Sequence, residues 1–442
     1  MSGRLLALLV AAAVVAVACA SSAVDDTSAA GARPSGDPGV AEESGTEGVS
    51  GGTETPAESA RRADADESDT SGPAHAPFPC SASPISSTPS AIEASGIGWI
   101  FGERLPERFP EPTVARSSIV PVLRADGIPA IDRPRCLTVD QVDTLADDAA
   151  VIVLDIEGDV RAYPLEILIW HELVNDTVGG VPVTISYCPL CNSAITYDRR
   201  VGDRVLDFGT SGALTQSSMV MYDRQTQTIW THFNGRAVAG ELTGTQLEFH
   251  SSAVVSWADF REQFPDGLVL GRDTGHRRDY GTNPYPGYEA NDDPFGQFIT
   301  DDVDPRLDPK TRVVGVEVDG QATAIVHDAL FDAGVIDTIV GGRELTVWSQ
   351  PGASSALDGR EVSGGDDVGA TGVFVPLVAD QRLTFSRTDE GFLDAETGTT
   401  WSIFGAGVDG PLAGEQLEAL PHLATFWFAW GTFFDDTEIV GR

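Results

Sequence analysis

Basic residues are scarce in this 442-residue chain: 28 Lys and Arg stand against 67 Asp and Glu, a formal net charge of −39 at pH 7. Such a surface repels phosphates, so nucleic acid is excluded as a partner, and the bland meaning of the charge is solubility. Long apolar runs are equally few. The run "LLALLVAAAVVAVA" after Arg4 is too short for an ordinary membrane span, and no second stretch of spanning length follows. The usual catalytic signatures are missing too: no phosphate loop occurs, and "FGTSGALTQSS" contains no G-x-S-x-G. "HELVN" has Asn175 where a zinc-protease helix needs its second histidine. "FGTSGALTQSS" offers Ser211 without an assignable base, and reads as a Gly-kinked loop or plain turn.

What is present begins with an address. Residues 1–19 read as an export signal. Its end, "AVAC", resembles a lipoprotein signal in which Cys19 is acylated and becomes the mature N-terminus; simple cleavage near Ala20 is the alternative. Residues 20–78 are Ala, Gly, Ser, Thr, Pro and acid, with twelve acids against three arginines. Such a segment buries too little apolar surface to offset the entropy of ordering it, and is expected to be a disordered tether. The expected location is the outer face of the cell-envelope membrane, or the medium if no lipid is attached. Membrane contact is expected through the lipid alone.

The remainder contains a repeat. "VIVLDIEGDVRA" at 151–162 lies over "VVGVEVDGQATA" at 313–324, a shift of 162. "MYDRQTQTIW" at 221–230 lies over "FLDAETGTTW" at 392–401, and "WADFREQFPDGLVLG" at 257–271 over "WFAWGTFFDDTEIVG" at 427–441. We read an N-terminal strap 79–136, a first repeat 137–272, a linker 273–306 and a second, degenerate repeat 307–442. Each half opens on strand-like alternation around an acidic-Gly turn. In the first half, "LEILIWHELVND" after Pro164 is read as a short helix ending near Asn175. The expected fold class is α+β and β-rich, two tandem related halves of mostly strands with one or two short helices each.

Five cysteines and three methionines are left to carry chemistry. "ISYCPLCNSAITYD" places Cys188 and Cys191 between two strand-like segments. That is the shape of a metal knuckle, whereas a thioredoxin-like thiol caps a helix. His171 is the candidate third ligand. At the shift of 162, Cys188, Cys191 and His171 meet Gln350, Ala353 and Ala333, so all three are missing together from the second half. The competing reading of His171 is an ordinary helix histidine with a hydrogen-bond partner. Met219 and Met221 alternate on a predicted strand and are possible additional ligands that would favour copper, core packing being the competing reading. His232 in "WTHF", opposite Ile403, is read first as a surface histidine and second as a ligand. Glu172 and Asp176 are placed around the metal as groups that orient His171. Cys80 and Cys136 are expected to form a disulfide in an exported protein; a four-thiolate site with Cys188 and Cys191, or a Cys188–Cys191 disulfide, are the alternatives.

"DGIPAIDRPRC", "RAYPLEILIWHELVNDTVGGVPVTISYCPLCNSAITYDR", "LDFGTSGALTQSSMVMYDRQTQTIWTHFNGRAVAG" and the later "W…FPDGLVL" together resemble the bacterial family called domain of unknown function 3179, from about Asp126 to Gly271. The resemblance implies export and supports the "YCPLC" and "WHE" elements as the site, on Tyr187–Cys191 and Trp170–Glu172. It names no reaction. Cys136 and His232 stand outside the pattern that the resemblance implies, which fits a disulfide private to this chain and lowers His232 as a ligand. The sequence therefore points to an exported, lipid-anchored protein binding one soft or borderline metal ion, copper ahead of zinc, for metal handling or redox chemistry. A metal-free thiol–disulfide oxidoreductase is the second reading. A non-catalytic surface module using its acidic face or "HLATFWFAWGTFF" is the third.

Overall fold

In the first hairpin, Ala150–Ile156 pairs antiparallel with Asp159–Pro164 across Glu157 and Gly158, whose φ values of 54° and 80° are those of a type I′ turn. The computed structural model describes residues 76–88, 96–294 and 296–442, so the expectations for the export signal, for Cys19 and for the tether up to residue 75 lie outside the described residues. The "VIVL" run is apolar throughout because both faces of its strand are covered. Ile152 and Leu154 join the largest core, while Val151 and Val153 join a second one with Trp257 and Phe260.

The described chain is strand-rich, with several sheets and few, short helices. Its six-stranded sheet runs Phe78–Pro79, Arg135–Thr138, Leu268–Leu270, Asp159–Pro164, Ala150–Ile156, Ala253–Ser256. Two further sheets supply the cysteine turn and its neighbours. One orders Phe249–His250, Ser193–Asp198, Val181–Cys188 and Leu173–Val178; the other orders Arg236–Ala239, Ile229–Thr231, Ser218–Asp223, Phe208–Thr215 and Val120–Pro121.

Two local expectations change. The helix after Pro164 spans Leu165–His171 only, and "LVNDTV" is the strand Leu173–Val178 paired with Val181–Ser186. The break is at Glu172, which takes a left-handed φ of 60° and donates its N–H to Leu168 O. "FGTSGALT" is a strand, not a loop, with a bulge between Thr210 and Ala213 where Gly212 has φ 74°. Ser211 there donates to Val220 O, a structural bond.

From Arg312 the same order of elements occurs again: Arg312–Val318, Gln321–Val326, helix His327–Ala333, Val335–Val340 and Arg343–Gln350, each displaced by 162 residues from its earlier counterpart. Asp319 and Gly320 repeat the positive-φ turn, at 51° and 77°. Further along, Trp230 Nε1 donates to Asp223 and Trp401 Nε1 to Asp394, at 3.0 and 2.9 Å.

Cys80 and Cys136 are disulfide-bonded beside the pair Phe78↔Cys136, fastening the strap to the sheet edge. Both are buried. Replacing Cys136 by Ser is expected to cost about 2–4 kcal/mol, because the bond constrains a long loop of the unfolded chain. The check is the urea midpoint of unfolding, and a midpoint equal to that of the wild type would mean that the sheet pairing alone secures the strap.

Candidate metal centre

Cys188 ends the strand Val181–Cys188 and faces Ser193, the first residue of the returning strand, across Pro189–Asn192. The knuckle closes because Asn192 accepts a left-handed φ of 50° and its N–H bonds Pro189 O. It is clamped from outside. Tyr288 OH donates to Leu190 O at 2.7 Å, and Thr425 Oγ1 and Phe426 N both donate to Cys191 O, at 2.7 and 3.1 Å.

His232 arrives from the neighbouring sheet. It follows the strand Ile229–Thr231, and its N–H bonds Met219 O while Met219 N–H points at Cys188 Sγ, 3.4 Å away. Ligand atoms of Cys188, Cys191 and His232 lie within 4.8 Å of one another, and all three residues are buried. The predicted surface histidine is thus 0% exposed.

The imidazole's hydrogen bonds fix its state. Ser186 Oγ spends its proton on Ile195 O at 2.7 Å, so toward His232 it accepts, and Nε2 carries the hydrogen at 2.9 Å. Nδ1 is left with a lone pair, buried and with no hydrogen-bond partner among the described residues. Burial pulls the His232 pKa down to about 4, so the ring is neutral at pH 7. Burial pushes the Cys188 thiol well up, and its hydrogen bond to Cys191 adds to this. Burial acts the same way on Cys191, but hydrogen bonds from Cys188 and Ser193 outweigh it and hold that thiol below its ordinary value. The Ser193 hydroxyl is 2.9 Å from Cys191 Sγ. Two thiols that can shed protons and a bare imidazole nitrogen make a three-donor set suited to zinc or copper, with a fourth position left over.

His171 is not brought into this group. Its Nδ1 lies 2.7 Å from Pro129 O, which can only accept, so Nδ1 donates; Nε2 then accepts from Tyr280 OH at 2.7 Å. With both nitrogens engaged, the ring is the partnered helix histidine of the competing reading. Burial takes its pKa to about 3. Asp176 does not orient it either: Oδ2 accepts from Arg161 and Tyr163, each at 2.8 Å. Glu172 makes no hydrogen bond to His171; burial, with the Cys188 charge second, raises its carboxyl well above the usual range. Met219 and Met221 are buried on the strand Ser218–Asp223, and it is Met219's amide that contacts Cys188. His232 carried a usable signal, since the sequence matches that set Gln350 and Ala353 against the cysteines set Ile403 against it.

A family model described as "Protein of unknown function (DUF3179)" matches residues 125–437, running well past Gly271. No curated protein and no solved structure matches the chain.

Proposed function

We propose a function from the premise that the chain belongs to the DUF3179 family: it holds one soft or borderline transition metal ion, copper or zinc, through Cys188, Cys191 and His232. The observation that carries this is the bare Nδ1 of His232, buried beside two thiols. A buried acceptor without a donor costs about 1–3 kcal/mol, a cost that a metal ion would remove. The protein acts in metal handling or redox chemistry at the cell envelope, exported by residues 1–19 and anchored by a lipid on Cys19. Residues 137–272 and 307–442 are related halves, of which only the first keeps the donors. Support for that relation is the 162-residue displacement of matching elements and the shared Asp–Trp bond.

The dithiol reading draws on the asymmetry of the pair, a Cys188 thiol beside a more acidic Cys191. Exposures of 1% and 0% count against it, because thiol exchange needs an attacking sulfur to reach the bond. Elemental mass spectrometry on the full chain, purified anaerobically from an export-competent host, tests the proposal; a single site implies about one zinc or copper per chain. Metal-free protein that refuses reloading after reduction, with cysteines that equilibrate with glutathione, would move the assignment to dithiol chemistry.

A further inference from the structure

We infer that the free edge strand Val335–Val340 is a docking site for an extended segment of a partner protein, one that carries an apolar residue followed by lysine or arginine. The inference is independent of the metal centre.

Leu173–Val178 and Val335–Val340 are built alike. Each has six residues, follows a seven-residue helix through one residue with positive φ, and stands at the edge of a four-stranded sheet. Their outer sides differ. Leu173–Val178 is buried throughout, and two segments lie along it. Ile131 forms a parallel bridge with Val174: its N–H donates to Leu173 O at 2.9 Å, and its carbonyl accepts from Asn175 N at 2.8 Å. Beside it Asp132 Oδ1 accepts from Asn175 Nδ2 at 2.8 Å, and Ile85 N donates to Thr177 Oγ1 at 2.9 Å.

Among the described residues, Val335–Val340 pairs with Arg343–Gln350 alone. The register on that inner neighbour matches the register of Leu173–Val178 on Val181–Ser186, so Val335 O and Asp337 N take the outward places of Leu173 O and Asn175 N. Ile339, in the place of Thr177, is 61% exposed, more than any other large apolar side chain among the described residues. Such an edge is a template for another strand, which gains main-chain hydrogen bonds from it. The segment before it does not fill it. Asp293 and Pro294 stand as far before Ile336 as Ile131 and Asp132 before Val174, but Pro294 is held at Ser217, whose Oγ donates to its carbonyl at 2.7 Å.

The side chains give the chemistry of the occupant. Over Asn175 the covering residue is an acid, which the amide serves as a donor. Asp337 in that place is exposed, makes no hydrogen bond or ion pair with any described residue, and favours a cation. Arg382, which feels this carboxylate, is already paired with Glu344 at 2.7 Å. Ile339 adds the apolar contact. A second copy fits less well, since at a net charge of −39 it brings like charge to Asp337.

The test uses the full chain and two synthetic peptides: residues 127–133, GIPAIDR, and the same peptide with Asp132→Lys. Hydrogen–deuterium exchange is expected to show the lysine peptide protecting amides of 335–340. Titration should give it roughly tenfold tighter binding than the parent peptide at low salt, a preference that shrinks as salt is added. Asp337→Asn should abolish the preference, because it places there the amide found at Asn175. Ile339→Lys should weaken both peptides by at least about tenfold, as a charge blunts an edge, and should leave the urea midpoint unchanged because the side chain is exposed. No protection of 335–340 at millimolar peptide, or equal binding of the two peptides, would overturn the inference. Protection of these amides without peptide would overturn it too: in a dimer it would put a second copy on the edge, and in a monomer a segment of the chain itself.

Discussion

Elemental analysis of a Cys188→Ser/Cys191→Ser variant is expected to show less than about a tenth of the wild-type metal, since one imidazole alone does not hold the ion. Charge is the reason. A divalent ion inside a protein must be neutralised by its own ligands, and two thiolates provide that neutralisation, aided by the Met219 N–H directed at Cys188 Sγ. Serine keeps the shape and removes the anions. His232→Ala should weaken binding by about 10–100-fold or more, the range seen for lost partners of metal sites, whereas His171→Ala should leave metal content at the wild-type value and lower stability instead. Circular dichroism on each variant separates loss of the ion from loss of the fold. Full loading of the double cysteine variant, or a metal loss that follows His171 in place of His232, would show that the donors have been misassigned.

The contrast between the two histidines shows where sequence reasoning ran out. The sequence matches set both against apolar residues, Ala333 and Ile403, and so mark both. What separates them is long-range. His171 meets the carbonyl of Pro129 and the hydroxyl of Tyr280, partners 42 and 109 residues away. His232 reaches the cysteines through the ladder between Met219 and its own backbone, a sheet pairing that no local pattern encodes. The knuckle was legible because strand, turn and strand are local and because Pro and Asn mark the turn. The helix end was misplaced for a local reason of another kind. "LEILIWHELVND" keeps helical spacing through Asn175, and nothing in propensity predicts a glutamate in the left-handed cap that Gly334 fills after the helix His327–Ala333.

Asp176 gives the largest purely structural effect expected, and it separates a supporting role at the metal from a role in the fold. Its carboxylate and the Arg161 guanidinium form a buried pair with side-chain exposures of 2% and 3%, at 2.8 Å. Asp159, the other partner of Arg161, is 30% exposed and so better solvated. Asp176→Asn removes the buried anion, leaves the guanidinium facing a neutral amide, and takes the acceptor charge from Tyr163 OH. Breaking such a pair from one side typically costs about 3–5 kcal/mol. The loss should appear as a lower urea midpoint, with the metal content of the surviving folded protein unchanged. An Arg161→Met/Asp176→Leu double replacement should cost less than the single one, because it leaves no uncompensated charge in the interior. If Asp176→Asn instead released the ion while the midpoint stayed put, the acid would belong to the metal centre after all. The geometry argues against that: the oxygens of Asp176 go to Arg161, Tyr163 and the Thr177 amide, none of them a donor to the ion.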